Sequence, residues 1–169
     1  MVFDEIKCPD EDERFMLEAL KEAALAADAG EVPVGAVVVR DGIIIARAGN
    51  MVERRRSSSA HAEMLAIDLA EAELGAKWLT DCTVYVTLEP CSMCAGAMVL
   101  ARIGRLVIGA DDPKTGACGS VFEIAGTDRL NHMIGIRRGV LGEQCAEQLR
   151  EFFKMKRSGR IDIRRNIIG

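Results

Sequence analysis

The sequence predicts a three-layer α/β/α domain on a five-stranded mixed sheet, with helices on both faces. Three observations lead there. The chain has 169 residues, 49% of them hydrophobic and 28% charged, which suits one domain with a substantial core. An early pair of β-branched runs flanks Asp41-Gly42, a strong two-residue hairpin signal. Beyond that hairpin, strand-like and helix-like segments alternate, which favours parallel pairing through right-handed crossovers.

The elements follow in order. Residues 12–29 carry Phe15, Ala19, Leu20, Ala23, Ala24 and Ala27 at spacings of three and four, with Gly30 as a stop. Residues 34–40 and 43–48 are the hairpin strands. Residues 60–73 present Met64, Leu65, Ile67 and Leu69 and close at Gly75, a second helix. Residues 83–87 form a buried strand, 92–101 a third helix and 106–108 a short strand. Residues 110–120, rich in Gly and Asp, read as a loop. A strand at 133–137 and a helix at 142–155 complete the pattern. The expected domain covers 1–157 and is followed by a basic tail, 158–169, in which Ile161 and Ile163 alternate with charge.

No apolar run reaches the roughly 18–20 residues that span a bilayer. The first thirteen residues are acidic where a secretory signal would be basic and then apolar, so a soluble cytoplasmic protein is expected. Net charge is −4, which taken whole argues against a nucleic-acid partner. The distribution is uneven. Residues 1–31 hold ten acids against three bases, whereas 154–169 hold six bases (Lys154, Lys156, Arg157, Arg160, Arg164, Arg165) against one acid. Two solvated ends of opposite sign are the plain reading; a phosphate-contacting tail is the functional one.

Six cysteines in a cytosolic-looking chain do not suggest disulfides. Only Cys91 and Cys94 form a local pair; for Cys8, Cys82, Cys118 and Cys145 the default is a small buried hydrophobe. Cys91-Ser92-Met93-Cys94 follows a strand and enters a helix, where first-turn amides and the helix dipole favour thiolate. Two such thiolates can hold a thiophilic metal, and His61 can add a third, nitrogen ligand. Three protein ligands leave a position for water, whose pKa zinc lowers to about 7. Glu63, two residues beyond His61, can act on that water without ligating. Two other readings stay open at this point. The Cys-x-x-Cys could be a redox pair, or Cys82 or Cys118 could close a structural zinc site.

His-x-Glu followed by Pro-Cys-x-x-Cys is the known signature of zinc nucleobase deaminases. Beyond it, the chain carries Glu31-Val32-Pro33-Val34-Gly35-Ala36, Ala60-His61-Ala62-Glu63, and the run Tyr85 to Ala97. Further on come Lys114-Thr115-Gly116 with Gly119-Ser120, Asn131-His132, and Phe152 to Arg157. In these stretches it resembles the bacterial tRNA adenosine deaminases of the cytidine and deoxycytidylate deaminase superfamily, over nearly its whole length.

The resemblance implies a cytidine-deaminase-like fold, a homodimer with one Zn2+ per subunit, and conversion of adenosine to inosine at the wobble position of a tRNA anticodon. It implies that His61, Cys91 and Cys94 hold zinc. Glu63 assists attack of zinc-bound hydroxide on C6 of a flipped-out adenine. Asn50 meets the base, Val34 lines the pocket and Ala62 contacts substrate. Asp111, Asp112 and Lys114 lie beside the flipped nucleotides, and Phe153 with the basic residues after it meets the anticodon loop. One departure stands out. The family usually reads Asp-Pro-Thr before Ala-His, whereas this chain reads Ser57-Ser58-Ser59 behind a basic loop, Arg54-Arg55-Arg56. The alternative activity is deamination of a free base or nucleotide, guanine or cytosine; a structural-zinc module is the non-catalytic one.

Overall fold

The computed structural model describes residues 9–160. The expectations for Cys8, for the acids before Pro9 and for tail residues 161–169 lie outside them. The first helix, α1, spans Glu11–Asp28. Asp10 starts it with a capping box: its carboxylate accepts the Glu13 N–H at 2.8 Å, and the Glu13 carboxylate accepts the Asp10 N–H at 3.2 Å. Strands β1 (Gly35–Arg40) and β2 (Ile43–Gly49) follow. Asp41 and Gly42 turn the hairpin with φ of 51° and 74°, the two positive values that a tight turn of this hand demands.

A one-turn helix, α2 (Val52–Arg55), precedes α3 (Ala62–Leu74). Strand β3 (Cys82–Leu88), helix α4 (Ser92–Leu100), strands β4 (Arg105–Ala110) and β5 (Gly135–Arg137), and helix α5 (Gly142–Arg157) complete the chain. The sheet order is β2-β1-β3-β4-β5. The hairpin is antiparallel, and so is the β1–β3 pair; β3–β4 and β4–β5 are parallel. The switch to parallel pairing therefore falls one strand later than the sequence pattern suggests, because β3 docks beside β1 rather than beside β2.

The side chains divide by face, as strand alternation requires. Ala36, Val38, Val84, Val86, Leu106 and Ile108 pack with α3 and α4 residues such as Ala66, Ala70, Ala95 and Met98. Val37, Val39, Tyr85 and Val107 pack with Phe15, Met16 and Ala19 of α1 and Cys145 of α5. Cys82, Cys118 and Cys145 are free and buried, in keeping with the small-hydrophobe reading.

Asp12, only 5% exposed, ties the second layer to the sheet. Its carboxylate accepts from Tyr85 Oη at 2.9 Å, from both terminal nitrogens of Arg105 at 2.7 and 2.6 Å, and from Arg137. The Arg105 guanidinium above all holds this carboxyl well below the usual range. A carboxyl depressed by folding adds stability above its unfolded pKa of about 3.9 and loses it as pH falls. Asp12→Asn is expected to lower stability by about 1.5–3 kcal/mol at neutral pH, the scale of a hydrogen bond to a charged group. In urea unfolding, the gap between variant and wild type should close as pH falls below about 4.

The register places one edge of the sheet with care. Gly35 at the start of β1 pairs with Gly49 at the end of β2, and Leu88 pairs with Ala110 at the ends of β3 and β4. Val34, Asn50, Glu89 and Asp111 thus leave the sheet along a common edge, where layered α/β folds bind ligands.

Candidate metal centre and adjoining groove

Two helix starts supply the reactive side chains. His61 is the N-cap of α3 and Cys91 the N-cap of α4, and neither side chain caps its own helix. Each is therefore available to turn outward at a position that Ser, Thr, Asp or Asn would otherwise use for capping. Cys94 sits one turn into α4, fully buried. The His61 Nδ1 lies 3.7 Å from Cys91 Sγ and 3.5 Å from Cys94 Sγ, and all three donor atoms fall within 4.8 Å of one another. A tetrahedral zinc with Zn–S near 2.3 Å and Zn–N near 2.05 Å sets N···S edges of about 3.5–3.6 Å. The donor set fits that ion in chemistry and in spacing.

The electrostatics agree with a shared charge. Hydrogen bonding from Cys94, then from His61, pulls the Cys91 thiol down to about 4. The same shared bond, with burial, pushes Cys94 up, and the Cys91 contact raises His61. Burial raises the Glu63 carboxyl to about 7. A divalent cation among these groups would draw both thiols to thiolate. Cys82 and Cys118 do not join the cluster among the described residues. Cys82 pairs with Arg40 at the other end of β3, and burial holds Cys118 as a thiol, at about 12. The candidate fourth protein ligands for a structural site are thus absent from the cluster.

A cleft of about 260 Å3 opens over the cluster, lined by His61, Glu63 and Cys91 together with Val34 and Asn50. Its size sits at the small end of small-molecule pockets. Asn50 is buried, and its Oδ1 has no hydrogen-bond partner among the described residues, an open acceptor in the cleft wall. Ala62 lies beneath the helix start rather than in the cleft lining. Its side chain is fully buried in the core beneath α3 and does not line the cleft, since it faces the sheet from the helix's first turn.

Beside the cleft runs a groove of about 1220 Å3. Asp111, Asp112, Lys114, Phe153, Lys154 and Arg157 line it, and it shares Val32, Leu88, Asp112 and Thr115 with the cleft. The structure thus brings Asp112 to both spaces but Asp111, Lys114 and Phe153 to the groove alone. Phe153 stacks edge-on against the buried Phe152, ring centroids 5.5 Å apart, so a core residue fixes an exposed ring. Asp112 is also a loop staple: it accepts from Lys114 N, Thr115 N and Thr115 Oγ1 at 2.9, 3.2 and 2.7 Å.

Two buried carboxylates in the cleft wall escaped assignment from sequence. Glu89 accepts from the backbone N–H groups of Asp112, Cys118 and Ser120 at 3.0, 3.0 and 3.1 Å, from Ser120 Oγ, and from Arg138 Nη2 at 3.1 Å. Those donors, Ser120 foremost, outweigh burial and hold it at about 2. Gly116 lies so close that a Cβ there would meet the Glu89 carboxyl at 2.5 Å. Glu31, fully buried, accepts the N–H groups of Glu53 and Arg54 at 3.1 and 2.8 Å. It thereby nucleates α2, so Arg54 and Arg55 lie on a helical turn where the sequence suggests loop. Four residues are too few to show a helical period; the available signal was a lone acid beside the apolar Val32-Pro33-Val34.

Comparison with known proteins agrees with this geometry. The MafB19-like deaminase family model matches residues 10–157. The tRNA-specific adenosine deaminase of Bacillus subtilis (strain 168) is 48% identical over 157 residues, 93% of this chain and 98% of its own length. That of Streptococcus pyogenes serotype M18 is 43% identical, over 88% of this chain and 93% of its own. A structure solved in a study of A-to-I editing by tRNA:A34 deaminases at the wobble position of transfer RNA superposes with a TM-score of 0.77. It is 43% identical and covers 80% of this chain and 99% of that one. A guanine deaminase from Nitrosomonas europaea has a TM-score of 0.70 at 28% identity, covering 83% of each chain. The chain belongs to the tRNA-specific adenosine deaminase family.

Proposed function

We propose that this protein deaminates adenosine to inosine at the wobble position of a tRNA anticodon, in the cytoplasm. The observation that carries the reading is the continuity of two spaces. A small cleft over an N/S2 donor set opens into a larger groove with an exposed aromatic ring and the bases Lys114, Lys154 and Arg157. A free-base enzyme has use for the cleft alone; a single-stranded RNA loop needs stacking and phosphate contacts as well. The guanine deaminase likeness keeps the free-base reading as the alternative to test.

His61, Cys91 and Cys94 would hold zinc, which supplies the Lewis acidity that makes water a nucleophile near neutral pH. The target adenine leaves its stack, at lower cost in a loop than in a duplex. Asn50 meets it with an amide that is both donor and acceptor, and Val34 packs against it. The Glu63 carboxylate takes a proton from the attacking water and delivers it to adenine N1. A second proton leaves with the C6 amine, so adenosine and water become inosine and ammonia. Burial suits Glu63 to holding a proton in transit.

A homodimer belongs to the same proposal. On the far side of α4 an apolar hollow of about 460 Å3 is lined by Trp78, Val99, Leu100 and Leu130. Leu100 is 80% exposed, and exposed apolar surface of this kind supports a protein–protein contact. Affinity for an anticodon stem-loop is expected to fall steeply with salt, because bound phosphates release counterions. Deamination of a free base with no salt dependence, and no stem-loop binding, would favour the alternative.

A further inference from the structure

The groove beside α5 leaves one charged feature of the cleft unused. Helix α2 stands at the cleft wall through Val52 and Glu53, and it carries Arg54 and Arg55, both exposed. Neither belongs to the groove. The helix is held from beneath by Glu31, whose carboxylate accepts two of its amide N–H groups and stands 3.6 Å from Arg54 Nε. A fully buried carboxylate is costly to keep unless it is well paired. Here its oxygens face α2 backbone and the Nε edge of one guanidinium. That pairing engages Nε, while the Arg54 side chain stays 44% exposed. The arrangement fixes a turn of helix that carries two exposed bases next in sequence to Val52 and Glu53, which line the cleft.

Resting on the proposed RNA substrate, we infer that α2 is a second phosphate-contact element, with Arg54 and Arg55 binding backbone phosphates of the strand that enters the cleft. Guanidinium groups suit this role because their planar fork matches phosphate oxygens. Glu31 is then a positioning residue: it orients Arg54 and the turn, and touches no substrate itself. The nucleotide in the cleft would lie between two sets of bases, those of α2 and those of α5.

The test measures binding of an anticodon stem-loop RNA to the zinc-loaded protein across a salt series. Each phosphate contact in a single strand contributes about −0.7 to the slope of log affinity against log salt. The double variant Arg54→Ala/Arg55→Ala should lose about two contacts. Between about 50 and about 200 mM salt its affinity should then fall about sevenfold less than wild type's. Arg55→Lys should keep its share of the slope, since charge sets this term. Zinc content should match wild type for both variants; the melting temperature should match for Arg55→Lys and fall modestly in the double variant, where buried Glu31 loses the Arg54 guanidinium. An unchanged slope in the double variant, with wild-type binding and editing intact, overturns the α2 inference alone. If wild type neither binds nor edits the stem-loop, the functional reading falls and the inference with it.

Discussion

Replacing Glu63 by Gln is expected to leave a folded, zinc-competent protein whose rate of deamination falls about 10³–10⁴-fold, at the upper end of what a positioned acid–base group contributes. Glu63 is buried in the first turn of α3, two residues from His61, and lines the same cleft as His61 and Cys91 of the candidate metal-ligating set. It is not itself part of that set. Gln keeps the shape of the side chain and removes its capacity to accept and return a proton. Metal analysis should still find one zinc per chain, and substrate affinity should stay within a few-fold of wild type. A variant with near wild-type turnover would remove Glu63 from the proton path. A variant that loses zinc would instead make it a ligand.

The second large effect is expected at Glu89, where chemistry and stability meet. Five hydrogen bonds converge on this carboxylate, and Arg138 extends the network to Asp111 at 2.6 Å and to the Cys118 carbonyl. Glu89 closes β3 two residues before Cys91, and Cys91 itself bridges to Gly116 of the loop. The loop that forms the groove wall is therefore fastened beside Cys91, a candidate metal ligand at the start of α4. Glu89→Ala leaves the buried Cys118 amide and the part-buried Asp112 and Ser120 amides without their acceptor, and takes one of several partners from Arg138. Leaving a buried donor without its acceptor costs about 1–3 kcal/mol, so a clear drop in urea midpoint is expected. In the milder Glu89→Gln, folding should survive while protease cleavage in residues 112–120 accelerates and KM for the stem-loop rises more than kcat falls. A Gln variant as resistant to protease as wild type would show that the loop is held by other contacts.

Much of this was legible in the sequence because its signals are local. The hairpin was carried by Asp41-Gly42, α1 by the spacing of its alanines and Phe15, and the candidate metal cluster by residue types that seldom occur together by chance. The remainder depends on distant partners. The antiparallel β1–β3 pair joins segments more than forty residues apart, and nothing in either strand announces that neighbour. The short α2 is created by Glu31, twenty-two residues upstream. The fate of Ala62 turned on which face of a helix start meets the sheet, which a motif does not record. Glu89 was visible as a motif residue, but its work, gathering a loop that lies 23 to 31 residues further along the chain, exists only in three dimensions. Charge followed the same rule: a net −4 conceals bases gathered along one groove and one turn of helix.

The most direct measurement is product identification from the zinc-loaded protein incubated in parallel with anticodon stem-loops bearing a wobble adenosine and with free adenine, guanine and cytosine. The expected result is inosine at the wobble position of the stem-loop, with no ammonia released from the free bases. Ammonia from guanine or cytosine alongside an unedited stem-loop would contradict it.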